Sequence, residues 1–333
     1  MGDESYASAL ESASTHLALR GVPGATVLIH APVAAGQTID ETLAVGAKPN
    51  VEIEHVSGRV TITTWDQDAV KISGTLGENS KQYDFEQRGS GVRFEVDTQR
   101  YKGDWKSSDV DQGDILTITL PAASRLMYTA VNADVSLTAI TNSSEVELIN
   151  GDILVSGLSG RVKLETVNGD IRLDNVAGEL SIETVNGDIK GTHTGQQNAH
   201  FATVNGAIDV STTSRHPRFD SVNGTINFTT AEVQELAIVT VNGRVTGETT
   251  VAATGDVSAS SVGGDIELTM QPDIAAIFDI QGHAGGNITN NITAKQASSA
   301  KYGPSKWLEF TTAQGTARVE ISTVHGTIGL NKR

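Results

Sequence analysis

Apolar residues recur along most of this chain at a repeating spacing of two, three and four positions. Between residues 162 and 189 the apolar positions are Val162, Leu164, Val167, Ile171, Leu173, Val176, Leu180, Ile182, Val185 and Ile189. Two apolar residues that lie two apart share one face of a strand, and the step of three breaks this alternation at a bend. Each nine-residue unit therefore predicts a short strand and a corner, and two such units make one coil of about 18 residues.

An asparagine recurs in step with these coils, usually within the tripeptide Val-Asn-Gly, at spacings of 18, 18, 18, 19, 18 and 19 residues. The members of this column are Asn132, Asn150, Asn168, Asn186, Asn205, Asn223 and Asn242. Asparagine before glycine tolerates left-handed backbone geometry, and its amide can bond the turn or the next asparagine. The column therefore predicts a structural turn ladder rather than a binding strip.

The repeat predicts an all-β fold, a parallel two-walled β-solenoid (β-helix-like) of about 18-residue coils with less regular end caps. Residues 18 apart, such as Val167 and Val185, should lie directly above one another. We expect interior ladders of aliphatic residues, including the column Val167, Val185, Val204, Val222 and Val241. Arg161 and Glu179 should be neighbours on the outside. An antiparallel hairpin meander is the lesser alternative.

The regularity of the repeat divides the chain into four parts. Residues 1–44 are an N-terminal extension and linker, with Tyr6, Leu10 and Leu17 at helical spacing. Residues 45–130 are an irregular β-repeat or cap region, in which Lys102–Gly113 should be an exposed loop. Residues 131–270 are the regular solenoid repeats, where Pro217 fits a bulged loop better than a central strand. Residues 271–333 are C-terminal cap repeats.

Composition limits the classes of function. The 333 residues include 34 Gly and no Cys, so a disulfide framework and thiolate chemistry are excluded. The net charge is −16, and residues 131–270 hold 7 Lys and Arg against 18 Asp and Glu, a net of −11. This balance disfavours nucleic acid and anionic membranes as partners. No apolar run is long enough for a transmembrane segment. Residues 22–35 lack a basic leader and make a poor signal peptide, so none is visible.

The repeated sequence motifs resemble those of a known family. Glu-Thr-Val-Asn-Gly-Asp-Ile occurs at 165–171 and at 183–189, and Asp-Ile-Leu-Thr-Ile-Thr-Leu-Pro precedes the array at 114–121. Over residues 45–330 the chain resembles a bacterial family of β-strand-repeat proteins that carries the label "putative adhesin", a domain of unknown function. The resemblance implies a β-solenoid that is exported or faces the cell envelope. The resemblance assigns no catalytic residues to this chain.

Each group of candidate site residues also has a structural interpretation. The column Asp152, Asp170 and Asp188 invites a calcium hypothesis, but it fades to Ala207, Thr225 and Arg244, so a structural role is favoured. The eight His show no metal-ligand spacing and should lie at the surface or at corners. Four aromatic residues in polar loops are weak binding candidates that would otherwise cap the stack: Trp65, Tyr101, Trp105 and Trp307. No catalytic, cofactor or metal residue is assigned.

The sequence thus predicts a non-enzymatic extracytoplasmic repeat protein, periplasmic, at the cell surface or secreted. It would act as an adhesin or envelope scaffold that presents an acidic repetitive surface to a protein or glycan partner, with no cofactor. One alternative is a β-solenoid that binds or cleaves polysaccharide, for which converging carboxylates and Trp in a groove would be needed. The other alternative is a self-assembling structural protein.

Overall fold

The computed structural model describes residues 28–32, 36–98 and 113–333, and in these ranges the regular elements are all β-strands. The first part of the chain forms β1 (Leu28–Pro32), β2 (Thr38–Ala44), β3 (Asn50–Trp65), β4 (Ala69–Thr75), β5 (Ser80–Arg88), β6 (Gly91–Thr98) and β7 (Asp114–Pro121). The C-terminal part forms β21 (Ala276–Gly282), β22 (Asn287–Asn290), β23 (Ser298–Ser299), β24 (Lys306–Thr311), β25 (Ala317–Thr323) and β26 (Thr327–Lys332). The all-β prediction is confirmed.

The middle of the chain holds the repeating strands. They are β8 (Arg125–Thr138), β9 (Ser143–Asn150), β10 (Ile153–Ser156), β11 (Arg161–Asn168), β12 (Ile171–Val176), β13 (Glu179–Asn186), β14 (Ile189–His193), β15 (Asn198–Asn205), β16 (Ile208–Thr212), β17 (His216–Asn223), β18 (Ile226–Asn242), β19 (Val245–Ser261) and β20 (Ile266–Met270). Each of these strands pairs with the strand that lies one coil away.

The repeating strands form two parallel series. One series contains β9, β11, β13, β15 and β17, and the other contains β10, β12, β14 and β16. Leu164 on β11 pairs with Ile182 on β13, so residues 18 apart are in register. Arg161 Nε lies 3.2 Å from Glu179 Oε2, as predicted. The antiparallel meander is wrong for this region because its pairing is parallel.

The inward positions of both series form one continuous core. Leu164 and Ile182 are fully buried, and Phe201 continues their column in the next coil. Phe201, Phe219 and Phe228 then stack, with ring centroids 5.4 and 4.7 Å apart. Each buried methylene contributes about 0.8 kcal/mol, so a coil is stable only when neighbouring coils cover its apolar residues.

The glycine of Val-Asn-Gly is required by a close backbone approach. A Cβ at Gly187 would lie 1.9 Å from the carbonyl oxygen of Gly169, and one at Gly206 would lie 1.9 Å from that of Gly187. Neither Gly187 nor Gly206 has a positive φ. The corner therefore needs a residue without a side chain because successive coils touch there.

The N-terminal end of the stack is closed by antiparallel strands. The long strand β3 pairs in parallel with β8 along most of its length, and on its other side with β6 and then β7. Beyond these, β5 and β1 extend one series antiparallel, while β4 and β2 extend the other. The strands β1 and β2 fall within the predicted extension 1–44, and the three predicted domain boundaries stay predictions.

The C-terminal end stacks in an order that differs from the order in the sequence. The last two long strands, β25 and β26, insert between β19 and β20 on one side and β21 and β22 on the other. Val319 thus pairs with both Val257 and Phe278. The antiparallel strand β24 then covers β21. Residues 257–268 are therefore covered by the final repeat of the chain and not by the next one.

Two local expectations need correction or fall outside the described ranges. Pro217 lies inside β17, buried and paired with Ala199, so the predicted bulged loop is wrong. Pairing of β17 with β18 begins only at Arg218, so the missing N–H removes no bond on that side. The predicted helical turns of residues 1–20 lie outside the described residues, as does the loop Lys102–Gly113 apart from Gly113. In the described ranges, no helix has the length and hydropathy needed to cross a membrane.

Candidate interaction surface

An unbroken row of aliphatic side chains lies on the outside of the stack. We call it the valine stripe, and it consists of Ile149, Val167, Val185, Val204, Val222, Val241 and Val262. Each of these side chains is between 36% and 49% exposed. The interior ladder predicted for five of these valines is therefore wrong.

The period-two geometry of the strand explains this exposure. In β11 the buried positions are Val162, Leu164 and Thr166, so Val167 must point outward. The buried threonine takes the inward place at the corner, and Thr166 Oγ1 donates to the carbonyl oxygen of Gly151 at 3.3 Å. Thr184 repeats this bond to Gly169 at 3.2 Å. The hydroxyl satisfies a part-buried corner carbonyl, and the valine that follows on the strand points outward.

A column of acidic residues runs beside the valine stripe, two positions earlier on each strand. Glu147, Glu165 and Glu183 pair in register, and Asp220 joins the column two coils further on. We call these four residues the acidic column. Together with the valine stripe from Ile149 to Val241 they line a shallow trough of about 710 Å³.

Basic residues neutralise part of this acidic column. Lys163 Nζ lies 3.0 to 3.1 Å from carboxylate oxygens of Glu145, Glu147 and Glu165. The hydrogen bond to Glu145 is the main reason that the pKa of Lys163 is raised, with desolvation opposing it. Asp220 accepts from Arg218 Nε at 2.6 Å and contacts His200 Nε2 at 2.7 Å. Burial raises the pKa of Asp220, but these two partners lower it more, so the net shift is downward.

The asparagine column lies on the other side of the valine stripe. From Asn150 to Asn242, each amide nitrogen donates to the side-chain oxygen of the asparagine in the preceding coil, over distances from 2.6 Å for Asn150 to 3.2 Å for Asn242. None of these asparagines has a positive φ, so the column does not adopt the left-handed geometry that asparagine before glycine tolerates. Asn168 is the last residue of β11 and keeps the extended backbone of that strand. The bend itself follows at the glycine.

The carboxylates of the aspartate column accept hydrogen bonds from backbone N–H groups. Asp152 Oδ1 accepts from the backbone N–H of Asp170 at 2.8 Å, and Asp170 Oδ1 accepts from that of Asp188 at 2.9 Å. Asp188 Oδ1 accepts in the same way from Ala207 at 2.8 Å. These carboxylates therefore join successive coils. The column ends at Ala207, which contributes only its backbone N–H to the bond with Asp188. Among the described residues no group of His, Asp and Glu has metal-site geometry.

The aromatic candidates do not come together. Trp65 ends β3 near the N-terminal end of the stack, where its indole N–H donates to the carbonyl of Ala69 at 2.8 Å. Trp307 lies on β24 at the opposite end and is 40% exposed. Tyr101 and Trp105 lie outside the described residues. No groove of the described chain therefore contains two of these rings.

A second, more polar groove of about 1220 Å³ follows the corner at which the strands β9, β11 and β13 begin. Arg125, Arg161 and Gln197 are among the polar residues that line it, and Glu145 and Glu179 contribute carboxylates. Lys163 and Arg161 already bind those two carboxylates. The groove offers donors and acceptors along the stack, and the carboxylates of Glu145 and Glu179 are engaged in ion pairs.

Two histidines are buried, which corrects the expectation that all eight lie at the surface or at corners. His55 Nε2 lies 2.8 Å from Asp114 Oδ2, and its Nδ1 lies 3.3 Å from Tyr128 Oη. Burial, with Asp114 next, raises the pKa of Tyr128. His193 contacts the carbonyl of Gly178 at 2.9 Å and Thr212 Oγ1 at 2.8 Å. Both ring nitrogens of His193 thus have hydrogen-bond partners inside the core, and the ring of His55 lies between an aspartate and a tyrosine.

The fold and this surface define a class: an all-β repeat protein with stacked parallel strands and an uncovered aliphatic row. The model of the Toastrack DUF4097 family matches residues 95–220, which contain the start of the regular array. This match confirms the resemblance to an adhesin-type β-repeat family of undefined role.

Two solved structures are similar to the chain at low identity. One is a "putative adhesin" from Bacteroides fragilis, with 13% identity and a TM-score of 0.36, over 88% of this chain and 97% of that chain. The other is a "putative cell adhesion protein" from Clostridium sporogenes, with 12% identity and a TM-score of 0.23, over 89% and 100%. At such TM-scores neither likeness carries an inference about function. No curated protein gives a significant match.

Proposed function

We propose that this chain is a non-enzymatic binding protein of the bacterial cell envelope or cell surface. It is an elongated, parallel two-walled β-solenoid that acts as an adhesin or envelope scaffold and presents a repetitive acidic surface to a macromolecular partner. The observation that carries this proposal is the register of the outer surface. Equivalent acidic side chains recur over three successive coils in Glu147, Glu165 and Glu183, so an extended partner meets the same chemistry repeatedly.

The two series of parallel strands support the two-walled architecture. Successive strands alternate between the series, so each coil contributes one strand to each wall. The inward side chains of both walls belong to a single apolar core. Such a stack is stiff because every coil is hydrogen-bonded to two others, and stiffness suits a protein that holds a partner at the envelope.

The distribution of charge supports an electropositive partner. Residues 131–270 carry a net charge of −11, out of −16 for the whole chain. Glu232, Glu235 and Asp256 are exposed and form no ion pair with any described residue. Glu235 and Asp256 also pair in register, so two carboxylates without ion pairs stack in the second halves of β18 and β19. Complementary charge would steer a basic partner to the repeats.

Two measurements test this function. Surface biotinylation of intact cells should label the epitope-tagged full chain, and a chain found only inside the cells would contradict the proposal. In solution, oligolysine should bind and lose affinity as salt rises. The variant Glu232→Gln, Glu235→Gln, Asp256→Asn should bind it more weakly than the control Asp66→Asn, Asp68→Asn, Glu78→Gln, which removes three exposed charges from the N-terminal cap. Equal weakening would show that only total charge matters and would count against a repeat-borne site.

Polysaccharide binding is a second candidate, and the polar corner groove favours it. Arg125, Arg161 and Gln197 line this groove along the stack, which suits hydroxyl-rich chains. A glycan array is the direct test, with Gln197→Ala as the site variant and Gln271→Ala as a control elsewhere. Glycan binding that is lost only in the first variant would support this candidate, and an array without signal would contradict it.

A further inference from the structure

The valine stripe is not a general consequence of stacking strands. On the opposite wall, the outward positions in register are Leu154, Arg172, Lys190, Asp209, Asn227 and Thr246. That column changes chemistry at nearly every coil, whereas the valine stripe stays aliphatic over seven coils and spans about 29 Å at a coil spacing of about 4.8 Å. A continuous exposed apolar row in an acidic protein marks an interaction surface.

We propose that the valine stripe is the docking surface for a second copy of this chain, with the two stacks side by side and pointing in the same direction. The proposal goes beyond the envelope-binding function. A partner that covers every member of the row needs the same spacing of about 4.8 Å, and another stack of parallel strands has it. An α-helix has a pitch of about 5.4 Å and would lose register along the row.

The columns that flank the valine stripe fix the direction of the pairing. The acidic column lies on one side and the asparagine column on the other. A two-fold axis parallel to the stack places the acidic column of each copy against the asparagine column of its partner. Each asparagine amide has two N–H groups, and the ladder uses one, as Asn186 does toward Asn168. The second N–H can donate to a facing carboxylate.

The opposite direction of pairing is unfavourable. A two-fold axis perpendicular to the stack would place the acidic column of one copy against that of the other. Glu147 and Glu165 would then face carboxylates, and Lys163 is already bound to both of them. Like charges opposed across an interface suppress such an arrangement.

The net charge of the chain predicts the direction in which salt changes the affinity of the dimer. Two copies with a charge of −16 each repel one another, so salt should strengthen an apolar self-contact by screening that repulsion. A basic partner held by the acidic column would show the reverse. The salt dependence of binding therefore distinguishes a second copy of the chain from the electropositive partner of the proposed function.

Sedimentation equilibrium of the full chain, from micromolar to near-millimolar concentration, is the first test. We expect a monomer–dimer equilibrium that tightens with salt. The variant Val185→Glu, Val204→Glu should weaken the dimer by at least about thirtyfold, because both copies carry the changes at the centre of the contact. Leu154→Glu, Thr246→Glu is the matched control, since it adds the same two charges at exposed positions on the opposite wall. It should leave the dimer unchanged.

The milder variant Val185→Thr, Val204→Thr keeps the branched shape and covers the case in which the glutamates unfold the protein, judged by circular dichroism. It should weaken the dimer by several-fold. A monomer at every concentration overturns the proposal. So does a dimer that the stripe variants leave intact, or one that salt weakens.

A single cysteine tests the direction of pairing, because the chain has no cysteine of its own. Val262 lies near one end of the valine stripe. In parallel pairing, Val262→Cys meets its own counterpart in the second copy and should form a disulfide-linked dimer under mild oxidation. Leu154→Cys is the control and should form no disulfide-linked dimer. Failure of Val262→Cys to cross-link in a sample that is dimeric overturns the parallel arrangement.

Discussion

The substitution Ile182→Ala, compared with Val185→Ala three residues later, tests which aliphatic side chains face the core. Ile182 is fully buried on β13 and pairs with Leu164 and Phe201, whereas Val185 is 38% exposed. Ile182→Ala removes three carbons at about 0.8 kcal/mol each and leaves a cavity, so it should cost about 3–4 kcal/mol. Val185→Ala removes two carbons that are about three-fifths buried, so it should cost about 1 kcal/mol.

Urea unfolding followed by circular dichroism measures both costs. Stacked repeats can unfold in more than one step, so the comparison uses the first transition that involves the middle coils. Ile182→Ala should lower its midpoint clearly more than Val185→Ala does. Equal destabilisation by the two variants would refute the exposed position of the valine stripe and return it to the core.

Three further substitutions and conditions probe the corner and the buried polar groups. Asn186→Ala breaks the bonds to Asn168 and Asn205, so urea unfolding should show a loss of about 1–2 kcal/mol, and no loss would contradict a stabilising ladder. Gly187→Ala places a Cβ 1.9 Å from a carbonyl oxygen, so it should cost about 3 kcal/mol or prevent folding, and a neutral effect in the same assay would contradict the close approach. Burial lowers the pKa of His193 from 6.5, so its contribution is present above pH 6.5 and is lost as the pH falls below that value. The hydrogen bond from Lys190, aided by that from Ala207, lowers the pKa of Asp188 below 3.8, so a second loss follows in stronger acid. Thermal melting from neutral to acidic pH should show both losses, His193→Gln should remove the first and Asp188→Asn should reduce the second.

The strand-and-corner repeat was predictable because its determinants are local. The pair Ile171 and Leu173 defines a strand face, and the recurrence of asparagine fixes the length of a coil at about 18 residues. Register followed from the same spacing. The sequence also contained a signal for the position of Val167 that the apolar pattern alone concealed. Counting in twos from Val162 places Thr166 inside and Val167 outside, but a threonine at a buried position is recognised only with its carbonyl partner in view.

The stacking order at the C-terminal end could not be predicted. The units around Val257 and Val319 have the same alternation, so the sequence does not say which of them the neighbouring coil will accept. That choice depends on long-range packing, in which β21 and β24 close the end while β25 fills the place beside β19. The buried histidines were missed for a similar reason. His55 is compatible with the core only because Asp114, far away in sequence, lies beside it.

Disulfide trapping at two positions one coil apart tests the in-register stacking of the strands most directly. In dilute solution, Val167→Cys with Val185→Cys should form an intramolecular disulfide, because neighbouring strands lie about 4.8 Å apart, within the usual reach of the bond. The pair Val167→Cys and Val204→Cys spans two coils, about 9.6 Å, and should stay reduced under the same mild oxidation. Mass spectrometry reports both. A bridge in the first pair alone is the predicted result, and a bridge only in the second pair would contradict the parallel, in-register stacking of successive coils.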